Sequence, residues 1–168
     1  MKRLDQSGFT LVEIMIVVAI IALLAAIAIP SVLRGRASAN EAAAIGNTRA
    51  LMNGLEMFHA TNNEYPDAWQ ADMYTDANPD FGPPAFDLDI TDETPGAAQG
   101  YDYLYTQDTA TSYHVDAYPS ATTNGTRSFF VNETGILRHC RCPADGCASD
   151  THADSGDVTL EAAPAECG

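Results

Sequence analysis

Four cysteines, Cys140, Cys142, Cys147 and Cys167, have the widest choice of chemistry, and all lie in the last 29 residues. Two outcomes suit such a cluster: disulfide bonds, or a zinc site completed by His139 or His152. The spacing C-x-C-x4-C-x19-C lacks the paired C-x2-C knuckles of zinc modules, which favours disulfides. A Cys140–Cys142 bond would close a very small, strained ring, so each is expected to bond to Cys147 or Cys167. The run Asp87-Leu88-Asp89-Ile90-Thr91-Asp92-Glu93 offers oxygens that suit calcium. It lacks the glycine and the closing bidentate Glu of an EF-hand loop, and a solvated acidic loop is the simpler reading. His59, His114, His139 and His152 are scattered, which favours packing or solvated roles over catalysis. Asn124-Gly125-Thr126 and Asn132-Glu133-Thr134 match glycosylation acceptors but read more simply as turns. No nucleophile–base constellation or phosphate loop is present, so an enzyme is not expected. The remaining residue of note is Glu13, a carboxylate inside a long apolar run.

That run is the dominant element. Residues 9–29 hold 19 apolar residues of 21, broken only by Thr10 and Glu13. As a helix they span roughly 31 Å, the thickness of a bilayer's hydrocarbon core. A cleaved secretory signal is one reading, given Lys2, Arg3 and the small-x-small Ala26-Ile27-Ala28. Its length and Glu13 argue against it, because a carboxylate at membrane depth costs a few kcal/mol and a disposable signal has no use for one. Flanking charge does not orient the segment: Lys2 and Arg3 precede it, and Arg34 and Arg36 follow it. The cysteines do, since disulfides need an oxidising compartment; the N-terminus is expected inside and the C-terminal body outside.

The helical pattern continues in Ala44, Thr48, Leu51, Leu55 and Phe58, with Asn40, Asn47, Arg49, Asn53 and Glu56 off the stripe. Asn62-Asn63 and Pro66 end it. From Phe9 to Asn62 is 54 residues, roughly 81 Å if continuous, and Pro30 is expected to kink or locally open it. Residues 63–100 read as a loop region. Short strands follow at Tyr101–Tyr105, Ser112–Ala117, Arg127–Val131 and Ile136–Arg138, with Thr134-Gly135 as a tight turn. The fold class is therefore α+β: a long N-terminal helix packed on a small antiparallel sheet. The tail 143–168 has six acids and little aliphatic content, so disulfides are its expected source of order. The formal net charge is −15. Beyond residue 36 there are four cations (Arg49, Arg127, Arg138, Arg141) against 21 acids, which excludes bulk binding to nucleic acid.

Gly8-Phe9-Thr10-Leu11-Val12-Glu13, after a short basic leader and before a long apolar helix with Pro30, resembles the class III signal of type IV pilins and type II secretion pseudopilins. Tyr65-Pro66 and Phe129–Arg138 resemble pilin-like bodies more loosely. The resemblance implies three parts: a leader (1–8), a membrane and filament-core helix (9–36), and an extracytoplasmic head (37–168). It also implies cleavage between Gly8 and Phe9 by a prepilin peptidase and N-methylation of Phe9. The chain would wait in the inner membrane and then assemble with copies of itself into an extracellular fibre. Glu13 would face the Phe9 amine of a neighbour, an arrangement that favours correct register because either charge left unpaired is costly. No cofactor is implied for a pilin. In the pseudopilin alternative, calcium commonly sits in the C-terminal loop; the cysteine-bearing tail departs from that pattern, although Asp145, Asp150, Asp154 and Asp157 could supply oxygens. Pilus subunit is the first reading, major pseudopilin the second and a minor tip subunit the third. From another class, a binding module on a conventional anchor predicts that the leader stays attached.

Overall fold

The computed structural model describes residues 9–142, apart from 78, 89 and 92–94. Helix α1 runs from Leu11 to Asn62. A π-helical turn (Ala71–Thr75) and a 3-10 turn (Pro84–Phe86) follow, then strands β1 (Gly96–Ala98), β2 (Tyr101–Thr109), β3 (Ser112–Pro119), β4 (Arg127–Asn132) and β5 (Arg138–Arg141). The strands form one antiparallel sheet in sequence order, a meander. The expected α+β class is what is found. The chain divides into two units, one ending at Arg36 and one starting at Ala37.

In the second unit, the helix stripe is buried as its spacing requires: Ala44, Thr48, Leu51, Leu55 and Phe58, joined by Gly54. Thr48 is tolerated there because its hydroxyl donates back to the Ala44 carbonyl at 2.9 Å. Alternate strand residues face this stripe. Cross-strand pairing places Tyr103 beside Ala117 and Ala117 beside Phe129, and Tyr105 beside Val115 and Val115 beside Val131. All six belong to the core cluster shared with α1. The helix flank is stitched to the sheet by polar groups: Asn47 donates to the Tyr103 hydroxyl and to Gln99, and Glu41 accepts from the backbone and hydroxyl of Thr126.

Helical backbone continues through Pro30, which removes one ladder donor there. Several expectations are corrected. Residues 63–100 are more than a loop, because Tyr65, Trp69, Met73, Tyr74, Phe86 and Ile90 all enter the core. They are pinned by single bonds, such as Trp69 Nε1 to the Phe86 carbonyl (3.1 Å) and the Tyr105 hydroxyl to the Pro66 carbonyl (2.7 Å). Ile90 makes the acidic run only partly a solvated loop. A fifth strand, β1, joins β2 through Gln99-Gly100, whose φ values of 49° and 77° suit a two-residue hairpin turn. The last strand is Arg138–Arg141 rather than Ile136–Arg138. The turn before it lies where expected, with Gly135 at φ 72° and its N–H bonded to the Asn132 carbonyl.

Candidate functional site

The residues with functional promise fall into two groups. The first is the N-terminal turn of α1. Thr10 precedes the helix; its N–H and hydroxyl both donate to Glu13 Oε2, at 3.1 and 3.0 Å, and the Glu13 N–H donates to the Thr10 hydroxyl at 3.2 Å. This is a capping box, in which two orphan groups of a helix end satisfy each other. The Thr10-x-x-Glu13 signature was readable in the sequence and gives Glu13 a role within its own helix end. Only Oε2 takes part, so the second carboxylate oxygen remains for another partner. Phe9, just before the cap, is 83% exposed. Gly8 lies outside the described residues.

From this cap onward the helix is apolar on every side. Its large hydrophobic side chains from Leu11 to Leu33 are between 47% and 74% exposed. Pro30 shares this surface. A helix apolar all round needs an apolar environment, either a bilayer or other helices. It is long and apolar enough to cross a membrane.

The second group is at the end of the sheet. Cys140 sits on β5 opposite Ser128 of β4, and the Cys142 N–H bonds the Thr126 carbonyl. Both cysteines are disulfide-bonded, and no free cysteine occurs among the described residues. Cys147, Cys167, His152, the leader and the acids Asp145, Asp150, Asp154 and Asp157 lie outside the described residues, so the expected pairing with Cys147 or Cys167 is not defined there. Among the described residues no group of three His, Cys, Asp or Glu side chains is placed to hold a metal. Asn132 accepts from Thr134 within its turn, and Asn124 bonds Ser120.

The histidines do not converge. His59 stacks on Tyr65 at 4.5 Å, and His114 stacks on Phe130 while its Nδ1 meets Asp108 at 3.0 Å. The tyrosines are electrostatically distinctive. Burial, with the hydrogen bond to Glu56, pushes the Tyr65 phenol up to about 12. Burial also pushes Tyr103 up to about 12, against the opposing bond from Asn47, and raises Tyr74, Tyr101, Tyr105 and Tyr113 further. These phenols stay neutral at physiological pH, as core groups.

Comparison with known proteins places the similarity in the helix. The family described as "Prokaryotic N-terminal methylation motif" matches residues 3–29. The chain is 38% identical over 66 residues to type II secretion system core protein G of Aeromonas hydrophila, covering 39% of this chain and 46% of the relative. It is 41% identical over 70 residues to the core protein G of Pseudomonas aeruginosa, covering 42% and 49%. It is also 45% identical over 60 residues to the type IV major pilin protein PilA of Myxococcus xanthus, covering 36% and 27%. The matches span about half or less of these relatives' lengths. No solved structure matches the chain significantly.

Proposed function

We propose, for a chain that belongs to the type IV pilin and type II secretion pseudopilin family, that it is a shaft subunit polymerising through α1 after leader removal. The observation that carries this reading is the capped helix whose large apolar residues, Phe9 to Leu33, are all exposed. Before assembly the inner membrane covers that surface. In the filament, the helices of neighbouring copies replace the lipid. Cleavage between Gly8 and Phe9 by a prepilin peptidase creates a new amine on Phe9, and N-methylation leaves its charge in place. Glu13 retains one oxygen outside the capping box, and that oxygen receives the neighbour's Phe9 amine. Pairing offsets the cost of burying both charges only in the correct axial register, so it acts on specificity more than on strength. Pro30 contributes one carbonyl without an intrahelical donor, a point at which the helix can adapt when packed.

Of the two systems, we propose the pseudopilus of type II secretion first. Six relatives are core protein G, and their matches run to as many as 70 residues. This reverses the order reached from the residues alone. A surface pilus is the second reading, favoured by the 45% and 43% identity to two major pilins. Mass spectrometry of the N-terminus, with electron microscopy of envelope and sheared-surface fractions, tests both. Fibres of this chain beginning at methylated Phe9 are expected. Envelope-confined fibres support the pseudopilus, and sheared fibres the pilus. A chain that keeps its leader and forms no fibre overturns the proposal in favour of an anchored binding module.

A further inference from the structure

The head must associate with copies of itself although it is strongly anionic. Beyond residue 36 its four arginines face 21 acids, so neighbouring heads repel unless particular cations are placed against particular acids. One such cation lines a groove of about 280 Å³, with mixed polar and apolar lining, between α1 and the end of the sheet. Met52, Val131 and Leu137 supply the apolar part of its lining, and Arg49 and Asn53 supply polar groups. The volume is below the range of about 300–1,000 Å³ for small-molecule sites and suits an inserted side chain. The ion pairs among the described residues are those of His114, so Arg49 has none of its own there.

The opposite flank of the head carries the complement. Gly54 projects about 200° around the helix from Met52. It lies against Phe81, where an added Cβ would meet the Phe81 carbonyl oxygen at 2.6 Å; Met52 lies towards Gly135. The segment after Phe81 carries Asp87 and Leu88, then meets β2 through the Ile90 carbonyl, which accepts from the Tyr105 N–H along the β1 edge. The groove is at the other end of the sheet order, beside β4 and β5. Leu88 is 67% exposed; among the described residues beyond Arg36, the other large exposed hydrophobics are Met57 and Ile136. Asp80 and Asp87 both act electrostatically on Tyr74, so the Leu88 knob stands in an acidic neighbourhood.

We infer that Leu88 of one copy enters the Met52–Leu137 groove of the next, with Asp87 meeting Arg49. The two surfaces differ and lie on opposite flanks, so the contact is head-to-tail and does not close as a two-fold dimer; in a filament its rotation leaves the array open. This inference rests on the filament reading and names its lateral contact.

Charge exchange in the full chain tests it. Arg49→Glu and Asp87→Arg are each expected to lower the filament yield about tenfold, the effect of about 1.4 kcal/mol per contact, at an unchanged level of processed protein. The double variant is expected to recover most of the yield. Asn53→Cys with Leu88→Cys is expected to give an oxidation-dependent ladder of dimers and higher oligomers within filaments, which a bond closed within one copy would not produce. Normal filaments from either charge variant, no recovery in the double variant, or no ladder would overturn the pairing while wild-type filaments persist. Absence of wild-type filaments would instead overturn the filament reading, and the pairing with it.

Discussion

Helix α1 presents two stretches of the same secondary structure with opposite surroundings. Between Leu11 and Leu33 no side chain is buried, although nearly all are apolar. Between Ala44 and Phe58, six residues are buried on one stripe, and polar residues hold the flanks. The second stretch finds its partner in its own chain. The first has none among the described residues, and an apolar surface of that kind is a demand for lipid or for other subunits. Helicity is common to both, and the distribution of polarity around the axis decides whether a stretch folds a head or builds an assembly.

The sharpest way to break this contrast is Glu13→Ala. On the proposed pairing with a neighbour's Phe9 amine, removing one partner of a buried charge pair costs about 3–5 kcal/mol, which should end polymerisation while leaving the proposed leader cleavage intact; fibres of ordinary abundance would show that Glu13 serves only its own helix end. Leu51→Ala should act on the other stretch alone, destabilising the head by about 2–5 kcal/mol. The single tryptophan, Trp69, lies in the head core, so its fluorescence during denaturant unfolding of the detergent-solubilised chain reads this directly.

Gly54→Ala pushes a methyl group to 2.6 Å from the Phe81 carbonyl oxygen and should cost about 1–3 kcal/mol by overpacking. Alkaline titration probes the same core without mutation. The buried phenols have folded pKa values above the ordinary 10.0, about 12 for Tyr65 and Tyr103. Above pH 10 the unfolded chain loses phenol protons that the folded chain keeps, so stability present below pH 10 falls as pH rises towards 12. Tyrosinate absorbance should therefore appear together with the loss of Trp69 signal; smooth titration near pH 10 with the fold intact would contradict this. The smallest effect belongs to Ile21→Ala, which should change head stability by less than about 0.5 kcal/mol. A larger shift would mean that the first stretch supports the head after all.

Legibility in the sequence followed the same division. Both stretches of α1 were readable because helical periodicity repeats over many turns, and four strands were recognised from their aromatic and β-branched runs. The last was displaced, since Arg138–Arg141 has no strand-like composition and is strand only by pairing with β4. The six core residues between Tyr65 and Ile90 were missed for a related reason. Each is a single anchor in irregular backbone, so no period announces it. The capping role of Glu13 was visible as Thr10-x-x-Glu13, yet the residue drew attention first as a charge in an apolar run.

The sequence by itself determined the helix, its apolar and amphipathic stretches, the N-terminal methylation motif and the anionic character of the residues beyond Arg36. Those properties depend on residue type and on spacing within a few turns. Only the tertiary structure decided that Trp69, Phe86 and Ile90 are core, that a fifth strand, β1, covers the β2 edge, and that Arg49 lines a groove with Met52, Val131 and Leu137. These depend on which distant segments meet, and that is set by burial and register across the whole head.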